Sequence, residues 1–202
     1  TDECVDPRDD PEDCLKKELR QDVMKFGYAM EFDARYKKFR YGFHHGLATG
    51  DKQAGFGFLD NAQLPRSGAE AGRDPKLTAF KFDRDYHVDL IMFRELIGGV
   101  TNATYFKPYF GYDFVQRPKE VWGFKLSSIY AFALEAEGTP GGESPLGLEF
   151  DAELYIKKAK KFHWSVAYGL LFPMSAFNLI DDNTVIEPTV AQTIQMVIAL
   201  EF

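Results

Sequence analysis

Glu149, Asp151 and Glu153 occupy alternate positions, and on a β-strand that spacing points three carboxylates off one face in steps of about 7 Å. Such a row can hold cations or repel anions, although neighbouring Arg and Lys side chains would make it, more simply, a neutralised set of solvated charges. Catalysis demands more than a row. A glycosidase needs two carboxyl groups converging on a closed subsite, and no such pair stands out. Ser165 lies two residues from His163, on the same phase, but a face rich in small polar residues explains that pairing without nucleophilic chemistry. His44 shares the phase of His163 and His45 has the other, and none has partners that would make a metal or proton-transfer set. Gly55-Phe56-Gly57 is a weak glycine signal, lacking the strand-to-helix context that cradles phosphate. The expectation is a protein that is not an enzyme and uses no metal and no cofactor.

Cys4 and Cys14 are the two cysteines. No His/Cys cluster suggests zinc, and in an exported chain their close spacing favours one disulfide. Asp6, Asp9, Asp10, Glu12 and Asp13 lie between them. Such carboxylates can hold calcium, but the EF-hand ligand spacing is missing. Residues 1–21 therefore read as an acidic, disulfide-closed, solvated loop. Thr1 opens acidic, Pro-containing sequence without the basic and apolar regions of a secretory signal, which is expected upstream.

The elements that must position these residues follow from periodicity. From Met24 to Tyr36 the even positions are Met, Phe, Tyr, Met, Phe, Ala and Tyr, while the odd ones include Lys25, Gly27, Glu31, Asp33 and Arg35. Period 2 means strand. After Lys37-Lys38 the alternation resumes as Phe39, Tyr41 and Phe43 against Arg40, Gly42 and His44, so a two-residue hairpin keeps both apolar sets on one face. The pattern returns over 101–115, 120–135, 146–156, 162–172 and 190–202, seven strands in all. Their connections alternate in length. The short ones are Lys37-Lys38, Arg117-Pro118-Lys119 and Lys158-Ala159-Lys160; the long ones centre on 51–100, 137–145 and 174–188 and are rich in Gly, Pro, Asp and Asn. Short turns alternating with long loops mark a transmembrane β-barrel with its short turns in the periplasm.

Composition sets the limits on partners. A formal charge of -7 over 202 residues, with no basic stripe, argues against nucleic acid. The hydrophobic fraction of 45% is ordinary, whereas aromatics reach 15% with 19 Phe. No apolar run approaches the ~20 residues of a helical span, which leaves strands as the means of crossing a bilayer.

The polar phase decides what the apolar phase faces. A water-soluble barrel would carry Lys, Glu and Thr densely on its exterior, but here the polar phase is rich in Gly, Ala and Ser with charges of both signs, which suits a crowded lumen. Tyr36, Phe39, Phe114, Trp122, Phe162 and Trp164 gather beside the short turns, where an interfacial aromatic girdle belongs. The fold expected is all-β: an antiparallel transmembrane β-barrel with seven spanning strands visible. An odd number of strands predicts that 22–202 is the C-terminal part of a larger barrel, with upstream strands of the same barrel as its neighbours. Lumen-facing charges are Lys25, Glu31, Asp33, Arg35, Arg40, Lys107, Asp113, Lys125, Glu149, Asp151 and Glu153.

Tyr86, Val88, Leu90 and Met92 also alternate, but counting them as a span would make the long 51–85 connection periplasmic. They are assigned instead to an outer loop, in which 88–97 also fits a short helix. The charges Arg84, Asp85, His87, Asp89, Arg94 and Glu95 would steer that loop into the barrel mouth as a constriction.

The alternating pattern resembles bacterial outer-membrane barrels, and 80–90, Phe-Lys-Phe-Asp-Arg-Asp-Tyr-His-Val-Asp-Leu, is similar to the inward loop of alginate-export-type porins and their uncharacterised relatives. Phe202, an aromatic residue ending an alternating last strand, looks like the signal read by the outer-membrane assembly machinery. The resemblance implies a large barrel in the bacterial outer membrane, conducting an anionic polymer or small solutes through a basic lumen. This chain departs from it by matching its lumen cations with at least as many carboxylates. The function expected is a porin-like channel for hydrophilic solutes, bounded by outer-membrane lipid, with selectivity set by lumen charge and the inward loop. The alternatives are a soluble β-barrel binding an apolar ligand, and an outer-membrane barrel with a structural or enzymatic role.

Overall fold

The computed structural model describes residues 22–52, 76–159, 161–181 and 184–201. The main sheet has seven strands, and they are the seven that alternation marks: β1 (Gly27–Tyr36), β2 (Phe39–Ala48), β3 (Ala103–Arg117), β4 (Glu120–Phe132), β5 (Pro145–Lys158), β6 (Phe162–Pro173) and β7 (Ala191–Leu200). Each has 10 to 15 residues, enough for the ~9–11 that a tilted strand needs to cross a bilayer's hydrocarbon core. Neighbours in sequence are neighbours in space, antiparallel throughout, and the seven-stranded sheet is not closed.

Strand ends differ from the periodic reading where side chains capture the backbone. Asn102, at φ 45°, donates from Nδ2 to the Glu135 carbonyl and accepts the Glu135 amide at Oδ1, both at 2.8 Å. This clamp sets the start of β3 at 103, and beyond the end of β4 at 132 the chain enters a short 3-10 turn, Ala136–Gly138. Met24 and Lys25 precede β1, although Thr49 and Phe26 still bond through their backbones at 2.9 Å. Two minor ladders join Asp22–Val23 to Lys76–Leu77 and Leu179–Asp181 to Thr184–Ile186. Lys37 and Ala159 take positive φ, 55° and 51°, in two of the short turns.

Register keeps a single phase across the sheet. One row of the apolar phase reads Ala34, Tyr41, Phe110, Leu126, Ala152, Tyr168 and Ile194, strand by strand. A bulge between Asp113 and Val115 leaves Phe114 without a paired residue, and Trp122 then pairs with Val115. The apolar phase is open: Phe32, Phe110, Leu126, Phe150, Leu154, Ile194 and Met196 are all exposed.

The hydrophobic core lies on the opposite face. Residues 78–101 cross the polar phase of the sheet and carry one π-helical turn, Met92–Ile97, which ends on Gly98 at φ 75°. Val88, Ile91, Met92, Phe93, Ile97 and Val100 pack against Ala48, Ala103, Tyr105, Ile129, Ala131, Leu146 and Leu171. The polar phase is thus graded. Near the long connections its side chains are small or apolar and admit the crossing segment; toward the short turns they are charged. Close approach explains several glycines of this phase: a Cβ at Gly46 would lie 2.5 Å from the Tyr105 ring, and one at Gly123 would meet the Tyr155 hydroxyl.

Candidate functional site

A cleft of about 250 Å³ runs between the crossing segment and the wall, reached by His87, Asp89, Arg94, Lys107, Lys125, Asp151, Glu153 and Gln195. Its anchor is Glu149. Oε1 accepts the backbone amides of Leu90 and Ile91, and Oε2 that of Met92, each at 2.9 Å. Asp89 repeats the device within the segment, accepting the amides of Phe93 at 2.7 Å and Arg94 at 3.0 Å. Together the two carboxylates satisfy the amides that open the π-helical turn, which have no carbonyl partner there. Lys107 closes the set by donating Nζ to the Val88 carbonyl.

Reading Glu149 as a solvated lumen charge is corrected by these contacts. It is 0% exposed and serves the backbone of the segment above it. Asp151, its neighbour on the face, is half-buried with Oδ1 lacking any hydrogen-bond partner, so of the three-carboxylate row Glu153 is left as the one at the cleft without such a burden. Burial and the Glu149 charge push the Asp89 carboxyl up to about 7, against the opposing pull of the Phe93 and Arg94 amides and of Lys107. Of the remaining segment charges, Arg84, Asp85 and His87 are exposed, His87 and Arg94 border the cleft, and Arg94 Nε pairs with Glu95 Oε1 at 3.6 Å.

A second group lies toward the short turns. Asp113, 1% exposed, receives Arg35 Nη2 at 2.8 Å and the Tyr155 hydroxyl. Arg40 Nε stands 3.5 Å from Asp113 Oδ1 without hydrogen-bond geometry, while its Nη2 donates to Tyr155 and its guanidinium carbon sits 4.8 Å over the Tyr155 ring. Arg35 and Arg40 are thus partly balanced by one carboxylate. Lys125 Nζ lies 4.6 Å over the Tyr109 ring. Lys25 precedes β1 and is exposed.

At β1 and β2, Asp33 Oδ1 accepts the Tyr109 hydroxyl at 2.5 Å and faces His44 Nε2 at 3.0 Å; Glu31 accepts the Tyr86 hydroxyl at 2.9 Å. Glu31, Asp33 and His44 bring ligand-type atoms within 4.8 Å of one another, but hydrogen bonds to tyrosines and to each other already account for their placement. His163 Nε2 is buried and has no hydrogen-bond partner, so it is not bonded to the Ser165 hydroxyl.

The tyrosines are what alternation alone passed over. Tyr86, Tyr105, Tyr109 and Tyr155 each place a phenol among the charges, and three of them were visible as tyrosines standing in the polar phase. Cys4 and Cys14 lie outside the described residues, with all of 1–21. No protein-family model, curated protein or solved structure matches the chain.

Proposed function

We propose that the chain is the wall of a porin-like channel in the bacterial outer membrane, passing hydrophilic solutes, with 78–101 as its constriction. One observation carries this reading. The apolar face of the sheet is the open one, and the chain covers its polar face instead. An antiparallel sheet in water buries its apolar face and solvates the other, and an exposed apolar surface spanning seven strands calls for a partner. Lipid is the partner that the aromatics and aliphatics of this face suit. The sheet's parity adds support. Because β1 and β7 run in the same direction, an all-antiparallel barrel closes on an odd number of further strands, consistent with upstream strands of the same barrel. The similarity of 80–90 to the inward loop of alginate-export-type porins agrees with where that segment lies.

Nitroxide labels at Phe150 and Leu154, compared with Lys125 and Glu153, test the reading in detergent-folded protein whose two cysteines are replaced by Ser. Oxygen, enriched in the apolar phase, is expected to relax the first pair, and a water-soluble nickel chelate the second. The reverse pattern would rule out a lipid-facing wall.

A further inference from the structure

Five consecutive backbone amides, Leu90 to Arg94, end on two carboxylates, Glu149 and Asp89. Both are almost completely buried, at 0% and 4% exposure. The titratable groups around Asp89 come from each element against it: Glu149, Asp151 and Glu153 from β5, Lys107 and Tyr105 from β3, Lys125 from β4 across the cleft, and His87 and Arg94 from the segment itself. From β6 and β7 the cleft receives Ser165, Ala167, Gln195 and Val197, all uncharged. The buried part therefore holds Asp89, Glu149 and the half-buried Asp151 against the single buried cation Lys107. Such an excess of negative charge in a desolvated place is relieved by taking up a proton.

We propose that Asp89 and Glu149 form a proton-dependent latch that holds 78–101 on the inner wall when Asp89 is protonated and loosens it when Asp89 is ionised. The carboxylic acid keeps its carbonyl oxygen for one of the two amides, Phe93 on Oδ2 or Arg94 on Oδ1, and loses its repulsion with Glu149. The excess of buried carboxylates over the one buried cation sets the sign, and the upward shift of Asp89 agrees with it. Docking stability from this group is fully present below the ordinary carboxylate range and is lost as pH rises through about 7. That the latch gates solute passage rests on the channel reading; the latch itself does not.

Amide hydrogen exchange on the full chain folded in detergent reads it directly. After correction for intrinsic rates, and with β4–β5 ladder amides as the internal reference, protection of Leu90–Arg94 is expected to fall about tenfold or more between pH 5.5 and 8.5. Asp89→Asn retains an acceptor for one of the two amides and removes the charge, and should leave protection of the segment independent of pH. Glu149→Gln, which loses an acceptor for one amide, should lower protection at both. Protection in the native chain that does not change with pH, or a pH response that persists in Asp89→Asn, overturns the latch. So does an unprotected segment at pH 5.5. A failed channel shows itself separately, as absent conductance with the exchange pattern intact.

Discussion

Asp113 shows how a face of charges becomes a face of pairs. One buried carboxylate serves Arg35 at 2.8 Å and Tyr155, with Arg40 at 3.5 Å. Two guanidiniums against one carboxylate leave a net positive charge near the short turns, smaller than the arginines alone would suggest. On the proposed channel reading, Asp113→Asn is expected to shift ion selectivity toward anions, and replacement of both Arg35 and Arg40 by Gln toward cations. Reversal potentials across a salt gradient, measured on the reconstituted barrel, check both. The shifts should shrink at 1 M salt, where the Debye length is about 3 Å. If neither substitution moves selectivity in an open channel, this charge group lies outside the permeation path. The stability cost of Asp113→Asn should be modest, about 1–2 kcal/mol, since Arg35 is half exposed and solvent screens its share; the denaturation midpoint measures it.

The element that most changes the character of the sheet is the crossing segment. Its apolar residues fill the small-residue half of the polar phase, and Phe93, 1% exposed, lies with its ring centroid 5.9 Å from that of Tyr105. Phe93→Ala removes a fully buried ring and is expected to weaken docking by about 3 kcal/mol. New protease cleavage within 78–100, with the strands intact, would report the loss. On the proposed channel reading, deletion of 78–99 should raise single-channel conductance of the reconstituted protein. Unchanged conductance and solute flux would place the segment away from the solute's route. The alternation of Tyr86, Val88, Leu90 and Met92 does not become a strand: the Leu90 and Met92 amides go to Glu149, the Val88 carbonyl to Lys107 and the Tyr86 amide to the Asp83 carbonyl in a turn, and the isolated bridge from Lys81 to Thr101 lies within the segment itself.

At the scale of the whole molecule, an open sheet with an exposed apolar face and two unpaired edges is expected to be insoluble as it stands in water. Folded protein should need detergent or lipid, and sedimentation after detergent removal checks this; a monodisperse species in plain buffer would contradict a lipid-facing surface. Much of the seven-stranded sheet was legible in the sequence. Strict period 2 through residues such as Phe106 to Phe114 fixes face and register, because a one-residue slip would invert every side chain, and the lengths of the connections give strand order. What the sequence left open is how the polar phase is used. Glu149 and Glu153 are equivalent in a pattern of alternation, and yet one is sealed beneath the backbone of 90–92 while the other borders the cleft. That distinction depends on a segment more than fifty residues away in the chain, |i−j| 57 to 59. Periodicity reports only local geometry, whereas burial, proton affinity and pairing are set by what the fold lays on top.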